Sequence, residues 1–400
     1  MLYSSTVLAR NASSILAHIS RLPAELASHP LLFTLSTNAP APSLPPLVSA
    51  LSSFSSSGSV GCLSAPTHPG APAAAPIVCS LAFFRKEHAV PFRSDIPGRP
   101  ETQVGRWHAM RRTGKERTQS GEVELTEDVE WERIWRPRPE GNVVPPALEG
   151  LRKKDVHTII TLTDNAPQGL NDSLSNFPLA TKLGLYCSST PFVTGRPYTL
   201  IFNGSVASSG AVGIALSAGR RPALKTVFPG LRAITPPLKV TGSEGNLVNE
   251  LDNRNPTALL VSAIEKSALA GKAAKDDQFY LGVLRDGDLW QVHRVMSGGP
   301  SRGTMALDTE TAPGEGTSVQ LFYCPNDAAA HTIPLHAAKN TLSFVTAPQC
   351  ESALAGQGED TVTVLEDTFL AASENGFMLS REDEMTWTCV TPGAQARLAW

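Results

Sequence analysis

The 400-residue chain has no apolar run of 18 or more residues and only 18% charged residues. A helix that spans a bilayer needs about 20 consecutive apolar residues, so we expect no transmembrane segment and no membrane partner. The formal net charge of -3 leaves no basic excess of the kind that binds nucleic acid. These absences favour a soluble globular protein without a nucleic-acid partner.

Cysteine pairs with a zinc-binding or disulfide pattern are also missing. The six cysteines contain no Cys-x-x-Cys pair, and four of them lie in apolar, strand-like runs, where a thiol is usually a small core residue. This pattern favours a reducing compartment, and we expect a cytoplasmic protein. The six are Cys62, Cys79, Cys187, Cys324, Cys350 and Cys389.

Catalytic signatures are equally scarce. The chain has no Gly-x-Ser-x-Gly elbow, no P-loop, no Gly-x-Gly-x-x-Gly after a strand and no His-Glu-x-x-His. His331 and His336 are five residues apart and do not share a helical face, so we expect no metal site. We therefore favour a protein that is not an enzyme and has no cofactor. If a haem bound, the first candidate ligands would be His88, His108 and His293, which lie near arginines.

A short phrase occurs twice in the chain. Residues 34–40 read TLSTNAP and residues 161–167 read TLTDNAP, which share five of seven positions. Each phrase follows an apolar run, and each precedes helical spacing and further strand-like runs. One of these matched pairs is IVCSLAFF (77–84) with PYTLIFNG (197–204). The recurring order predicts a duplicated strand-helix-strand unit.

Strands that alternate with helices, followed by hairpins, predict an α/β to α+β fold with mixed sheets. We expect a first unit at 1–150, which contains an N-terminal helix and a charged insert at 111–142, and a second unit at 151–270. A C-terminal α+β domain is expected at 276–400. Residues 279–296 predict a β-hairpin with an Asp-Gly turn, and Asn255-Pro256 predicts the start of a helix.

The N-terminal residues 4–22 allow two interpretations. Their apolar residues fit one helical stripe that could pack on the body of the protein. The segment is also rich in serine, carries Arg10 and Arg21 and has no acidic residue before Glu25, as in a transit peptide. A mitochondrial location is the alternative if residues 1–24 are such a peptide.

Candidate ligand-binding residues come mainly from the segment GSEGNLVNELDN (242–253). On a strand, Glu250 and Asp252 would lie on one face, and Asn246 with Glu250 could line a pocket where the two units meet. Asp252 with Asn253 could instead form a turn. Arg196 and Arg232 are further candidates because a guanidinium suits a ligand carboxylate, although each also reads as a plain surface residue.

The stretches FPLATKLGLYCSSTPF (177–192) and TLIFNGSVASSGAVGIAL (199–216), with the GN…ELD ending, resemble the N-terminal part of FIST proteins. The name stands for F-box and intracellular signal transduction. The hairpin at 279–296 and FLAASENGFMLSREDE (369–384) resemble the companion C-terminal part. Leu231 and Asn253 depart from the family pattern, which often has Cys and Gly there.

The resemblance implies a sensory protein that binds small ligands such as amino acids. Some bacterial proteins resembling the family bind haem and sense nitric oxide, and some animal members carry an F-box. No F-box segment can be found in this sequence, so we expect the signal to pass to a separate protein partner.

We therefore predict a non-enzymatic sensor that binds an amino-acid-like molecule in a cleft between the units. Three alternatives stay open: a protein-interaction adaptor of the ubiquitin-pathway type that uses the insert 111–142, a haem-binding gas sensor, and an enzyme that uses Cys187 or the Glu250/Asp252 pair. The predicted ligand-binding residues are Arg196, Arg232, Asn246, Glu250, Asp252 and Cys187.

Overall fold

The computed structural model confirms a mixed α+β fold, with 45% strand and 18% helix. The insert 111–142, His108, His331, His336 and Cys350 lie outside the described residues. The structure describes residues 1–67, 75–96, 144–266, 278–298, 303–325, 339–347, 362–382 and 384–400.

The described residues form 24 strands and six α-helices, with short 3-10 turns at Ala24–Ser28 and Ala41–Ser43. The strands are β1 (Tyr3–Ala9), β2 (Leu31–Ser36), β3 (Ser59–Ser64), β4 (Ile77–Phe83), β5 (Ala89–Ser94), β6 (Val156–Thr163), β7 (Thr181–Tyr186), β8 (Leu200–Phe202), β9 (Ser205–Ala207), β10 (Ala211–Ser217), β11 (Ala223–Val227), β12 (Arg232–Ala233), β13 (Leu238–Glu244), β14 (Leu247–Leu251), β15 (Gln278–Arg285), β16 (Asp288–Gly298), β17 (Met305–Leu307), β18 (Ser318–Cys324), β19 (Thr341–Thr346), β20 (Thr363–Glu366), β21 (Thr368–Ser373), β22 (Phe377–Ser380), β23 (Trp387–Cys389) and β24 (Gln395–Ala399). The helices are α1 (Ala12–Ser20), α2 (Leu44–Phe54), α3 (Pro146–Glu149), α4 (Gln168–Leu174), α5 (Pro191–Thr194) and α6 (Pro256–Lys266).

The first four strands form a unit with the order β3-β2-β4-β1, in which β2 and β3 are parallel and the other pairs are antiparallel. Helices α1 and α2 cover one face of this unit. In α2, Leu44, Leu47 and Leu51 recur at helical spacing and are buried against the sheet. Asn11 begins α1, because its side chain accepts a hydrogen bond from the Ser14 amide.

Two further groups of four strands repeat this arrangement. The second unit has the order β7-β6-β10-β5, and the third has the order β21-β19-β24-β11, with the same parallel and antiparallel pairs. In each unit, one row of paired residues crosses all four strands. These rows are Tyr3–Phe83–Leu31–Ser59, Ala89–Leu216–Thr158–Thr181 and Ala223–Ala399–Thr341–Thr368.

This arrangement corrects one detail of the predicted repeat. The strand that corresponds to β4 is β10, and the predicted match of 77–84 with 197–204 is wrong. The reason is that residues 200–207 form the β8-β9 hairpin, which pairs with β3 in the first sheet. The third group of four strands was not predicted.

The three units interlock through the connections between their third and fourth strands. The β8-β9 hairpin of the second unit extends the first sheet at β3, and the β22-β23 hairpin of the third unit extends the second sheet at β7. The edge of β21 is covered by side-chain hydrogen bonds from the first unit and not by a hairpin. The Thr6 hydroxyl donates to Thr368 O (2.9 Å) and accepts from the Leu370 amide (3.0 Å), while the Ser80 hydroxyl donates to Leu370 O (2.6 Å).

The inner faces of the three units share one hydrophobic core, so the units pack against each other as well as sharing sheets. A second core lies between the first unit and helices α1 and α2, and a third lies between the second unit and helices α3 and α4. The shared core includes Leu32, Val60, Ile160, Leu183, Phe344, Phe369, Phe377 and Leu379.

Residues between β11 and β19 form a separate antiparallel ring in the order β13-β14-β17-β16-β15-β18, in which β18 pairs back onto β13. Leu281, Met305 and Leu321 lie in the core of this barrel. The predicted hairpin is confirmed, because Asp286 and Gly287 connect β15 to β16 with φ values of 53° and 87°. The predicted helix start is confirmed as well, since Asn255 Oδ1 accepts from the Ala258 amide.

Strands of residues 276–400 are shared among all four sheets, and the proposed domain boundaries stay a prediction. The predicted N-terminal helical stripe is wrong for residues 3–9, because they form β1 between β4 and β20. Removing residues 1–24 would therefore remove an internal strand of the first sheet. No helix among the described residues is long and apolar enough to cross a membrane.

Candidate functional site

A groove of about 370 Å³ lies beside the β15-β16 hairpin of the barrel. Its other wall is formed by residues that follow β22, which is paired with β7 of the second unit. The volume falls in the range of about 300 to 1,000 Å³ that is usual for small-molecule sites. Its lining residues are Val283, Leu284, Arg285, Trp290, Gln291, Pro313, Thr317, Glu384 and Met385.

Trp290 is the aromatic residue of the groove. The Arg285 guanidinium carbon lies 5.3 Å from its ring centroid and that of Arg381 lies 4.9 Å away, both within cation-π range. The indole Nε1 is buried and has no acceptor among the described residues. A buried donor without a partner is costly, so this N–H favours an acceptor that comes from outside the described protein.

Glu384 supplies the negative charge of the groove. One carboxylate oxygen, Oε1, forms an ion pair with the Arg285 guanidinium. The other, Oε2, is buried and has no hydrogen-bond partner among the described residues. The groove is therefore lined by the Arg285 guanidinium, the Glu384 carboxylate and Trp290 beside apolar side chains, and the Arg381 guanidinium lies over the Trp290 ring.

The chain places these groups together through a short turn and one long-range contact. Arg285 and Trp290 lie on either side of the Asp286-Gly287 turn, and the β15-β16 register shifts between Val283 and Leu284. Such a bulge changes the direction of the neighbouring side chains. Arg381 and Glu384 come from a distant part of the sequence, so the sequence gives no local signal for their meeting with Trp290.

A second group of polar residues lies at the ends of β3, β7 and β21, which are the third strands of the three units. The Ser188 amide donates to Leu63 O (3.1 Å), the Ala65 amide donates to Ala372 O (2.9 Å), and Asn375 Nδ2 donates to Cys187 O (3.4 Å). Each unit thus bonds to the next in a closed ring. We call this place the strand-end junction.

The carboxylates of the strand-end junction are occupied by internal hydrogen bonds. Glu374 accepts from the Ser188 hydroxyl (2.6 Å) and from the Ser189 amide (3.0 Å). Asp164 accepts from the amides of Ala166 (2.9 Å) and Gly210 (2.7 Å). These bonds fix loops and leave fewer free groups for a ligand than the groove does.

Cys187 lies in this junction and is completely buried. Burial raises the pKa of its thiol well above the ordinary value, and the hydrogen-bonded Cys62 thiol and the charges of Asp164 and Glu374 act in the same direction. Burial and the charge of Asp164 also raise the pKa of the nearby Tyr198. A protonated, buried thiol is a poor nucleophile, so the geometry favours a packing role for Cys187.

The two candidate arginines lie on exposed surfaces in separate elements. Arg196 follows α5, and its Nη1 donates to the Ser208 hydroxyl (3.0 Å). Arg232 lies on β12 opposite Tyr323. Neither lines the groove.

Asn246, Glu250 and Asp252 lie together on the β13-β14 hairpin of the barrel. Asn246 Nδ2 donates to Leu307 O (3.3 Å), and Asp252 Oδ1 accepts from the Lys239 amide (2.9 Å). The prediction that Glu250 and Asp252 share a strand face is wrong, because β14 ends at Leu251 and Asp252 has a left-handed φ of 48°. The turn interpretation is confirmed, and a ligand-binding role for these residues stays a prediction.

His293 is buried on β16, with its ring centroid 6.5 Å from that of Trp387. Burial lowers the pKa of its imidazole to about 4. No group of three or more His, Cys, Asp and Glu within the described ranges is arranged to hold a metal ion.

We expect His293 to make stability depend on pH. Its folded pKa of about 4 lies below the ordinary value, so only the unfolded chain takes up the proton as the pH falls. Stability is then complete above about pH 6.5 and decreases by up to about 3 kcal/mol between pH 6.5 and pH 4. Urea unfolding of the wild type and of His293→Gln at pH 7.5 and 4.5 checks this. The free energy of unfolding of the variant should decrease less between the two pH values than that of the wild type. If the two proteins differ by the same free energy at both pH values, the prediction is contradicted.

Comparison with known proteins adds one match. Residues 168–254 match the family model FIST, described as the FIST N domain. No curated protein matches the chain. The matched region runs from α4 to just beyond β14 and contains all six predicted ligand-binding residues, whereas the Trp290 groove lies outside it. A FIST domain implies a sensory role in signal transduction. At residues 168–254 the chain is therefore similar to the FIST N domain, a domain of the signal-transduction sensory type.

Proposed function

We propose that the protein senses a small amino-acid-like molecule that binds in the Trp290 groove, and that it signals through a separate protein partner. The observation that carries this proposal is that two polar groups at the groove, the Trp290 indole N–H and Glu384 Oε2, have no partner within the part of the chain that the structure describes. Both would gain a hydrogen bond from a ligand that carries an acceptor and a donor.

The charges of the groove suit a zwitterion. A ligand carboxylate would lie near the Arg381 guanidinium and accept from the Trp290 N–H, while a ligand ammonium would donate to Glu384 Oε2. The ligand side chain would then contact the apolar lining formed by Val283, Pro313 and Met385. Charge-assisted hydrogen bonds of this kind are about twice as strong as neutral ones.

The position of the groove suits a sensor, because its two walls belong to different parts of the fold. One wall is the barrel hairpin, and the other follows β22, which is part of the second sheet. A ligand that contacts both walls favours the arrangement in which they are correctly spaced. This difference in affinity between arrangements is what a partner protein would detect.

The test is a thermal-shift screen over the amino acids, followed by titration of the best ligand and of its analogue that lacks the amino group. A ligand at 100 times its Kd stabilises a protein by about 2.7 kcal/mol. We expect Glu384→Gln to weaken the amino acid at least tenfold and the deaminated analogue much less. Arg196→Gln is the matched control, since Arg196 lies outside the groove.

Two outcomes would count against the proposal. One is that no amino acid stabilises the wild type at millimolar concentration. The other is that Glu384→Gln weakens both compounds equally, since the carboxylate would then not receive the ammonium group. The adaptor role of residues 111–142 and haem binding through His88 or His293 stay predictions from the sequence.

The three equivalent units also suggest an origin. We infer that they descend from one four-stranded ancestor, with the barrel inserted between the first and second strands of the third unit. The shared strand order and the same set of parallel and antiparallel pairs support this inference.

A further inference from the structure

Basic residues from three segments of the chain lie at the turn that follows β10. We call His88, His157, Arg220 and Arg221 the basic cluster. The turn at its centre consists of Ala218 and Gly219, both with left-handed φ values, 62° and 82°. A left-handed alanine is uncommon and costs about 1 to 2 kcal/mol, so the surrounding contacts hold this turn in place.

Both histidines contact this turn. His157 Nε2 lies 2.9 Å from Ala218 O, which makes Nε2 the protonated nitrogen, and its Nδ1 lies 2.8 Å from the Thr158 hydroxyl. His88 accepts from the Ser217 amide through its carbonyl oxygen (2.8 Å). The His88 ring lies so close to Gly219 that a Cβ there would be 3.6 Å from its Cδ2.

One imidazole nitrogen of the cluster has no partner. His88 Nδ1 is buried and makes no hydrogen bond within the described part of the chain. Buried nitrogen atoms are usually paired, and an unpaired one indicates a missing water or ligand. This observation is independent of the charge of the cluster.

The positive charge of the cluster exceeds the negative charge around it. Arg221 Nη2 contacts Thr181 Oγ1 (3.2 Å) and forms a weak ion pair with Glu382 (3.4 Å). Arg220 is exposed and has no ion pair among the described residues. Glu87 is near His88 but fully exposed, so solvent screens its charge. One arginine charge is therefore left unbalanced.

The charges also act on His157. Burial lowers the pKa of its imidazole, the bond to Ala218 raises it, and Arg221 and His88 lower it further. Burial is thus the main cause of the lowered pKa of His157, and the positive neighbours add to it. An anion in the cluster would reverse this effect and favour the protonated form.

We propose that the basic cluster binds the phosphate group of a small phosphate monoester. The Arg220 and Arg221 guanidinium groups and the unpaired His88 Nδ1 would offer donors to a tetrahedral phosphate. This site is separate from the Trp290 groove and does not depend on the function proposed for it.

The test follows the imidazole resonances of His88 and His157 by NMR while inorganic phosphate, and then glycerol 3-phosphate, is added at constant ionic strength. We expect a saturable change, and a His157 pKa that rises when phosphate is bound. Arg221→Gln should weaken binding at least fivefold, and the matched control Arg10→Gln, at the far end of β1, should not change it.

Arg221 also contacts Thr181 and Glu382, so a folding defect in that variant is conceivable, and Arg220→Gln repeats the test without losing those contacts. A response that does not saturate would overturn the proposal, as would equal binding by the arginine variants and Arg10→Gln. Binding to phosphatidic acid vesicles without any response to glycerol 3-phosphate would also overturn it, because the site would then recognise a membrane.

Discussion

Gly376→Ala should lower the free energy of unfolding by about 3 kcal/mol or more. Gly376 begins the β22-β23 hairpin with a φ of +83°, which is unfavourable for any residue that has a Cβ. A Cβ there would also overlap the carbonyl oxygen of Cys389. The hairpin extends the sheet of the second unit, and the Tyr186 amide donates to Gly376 O (3.2 Å), so the damage reaches two units. Urea unfolding measures the loss.

Gly316→Ala separates the two causes. Gly316 has nearly the same φ, +84°, but a Cβ at this position would have no atom within 4 Å. Backbone strain alone should cost about 1 to 2 kcal/mol. Equal losses in the two variants would mean that the overlap with the Cys389 carbonyl oxygen adds nothing to the cost of the backbone strain.

Thr6→Val should lower the free energy of unfolding by about 2 to 4 kcal/mol, although it keeps the shape of the side chain. The Thr6 hydroxyl bonds to both Thr368 O and the Leu370 amide at the edge of β21. The variant leaves both backbone groups buried without this partner. Guanidinium unfolding of the two proteins under identical conditions gives the difference.

Thr388→Val is the matched control. The Thr388 hydroxyl also makes a hydrogen bond, to Tyr186 (2.9 Å), but at an exposed position where water can replace it. Its loss should cost less than about 1 kcal/mol. If Thr6→Val is no more harmful than Thr388→Val, the closure of the ring between the first and third units is not a major source of stability.

Local features of the fold could be predicted because short segments determine them. The Asp286-Gly287 pair requires two left-handed residues and formed the expected hairpin turn. Asn255 and Pro256 formed the expected helix start, because the Asn255 side chain accepts from the free Ala258 amide and proline at the first helical position has no N–H that needs a partner. Both signals act within a few residues.

The sequence pattern indicated two of the three four-stranded units and aligned them incorrectly. The faces on which their side chains lie explain the incorrect alignment. Phe33 and Leu35 face the outer core of the first unit, whereas Ile160 and Leu162, which correspond to them when the two phrases are aligned, face the shared core. The matching sequences therefore pair residues whose side chains lie on opposite faces of their sheets. The third unit escaped detection because the barrel separates β11 from β19 by more than 100 residues.

The candidate site could not be predicted from patterns near it. Trp290 and Arg285 share a hairpin, but Arg381 and Glu384 reach them only because β22 pairs with β7 and brings the following residues to the barrel. Long-range pairing of this kind leaves no periodic signal. The predicted residues were instead chosen for their chemistry, and Asn246 and Asp252 turned out to bond to backbone groups of their own barrel.

The most direct test of the account is a crystal structure of the protein with the amino acid that stabilises it most. The account predicts density for the ligand in the groove, with its ammonium at Glu384 and its carboxylate beside Trp290 and Arg381. Density for the ligand at the strand-end junction around Cys187, with the groove unchanged, would contradict it.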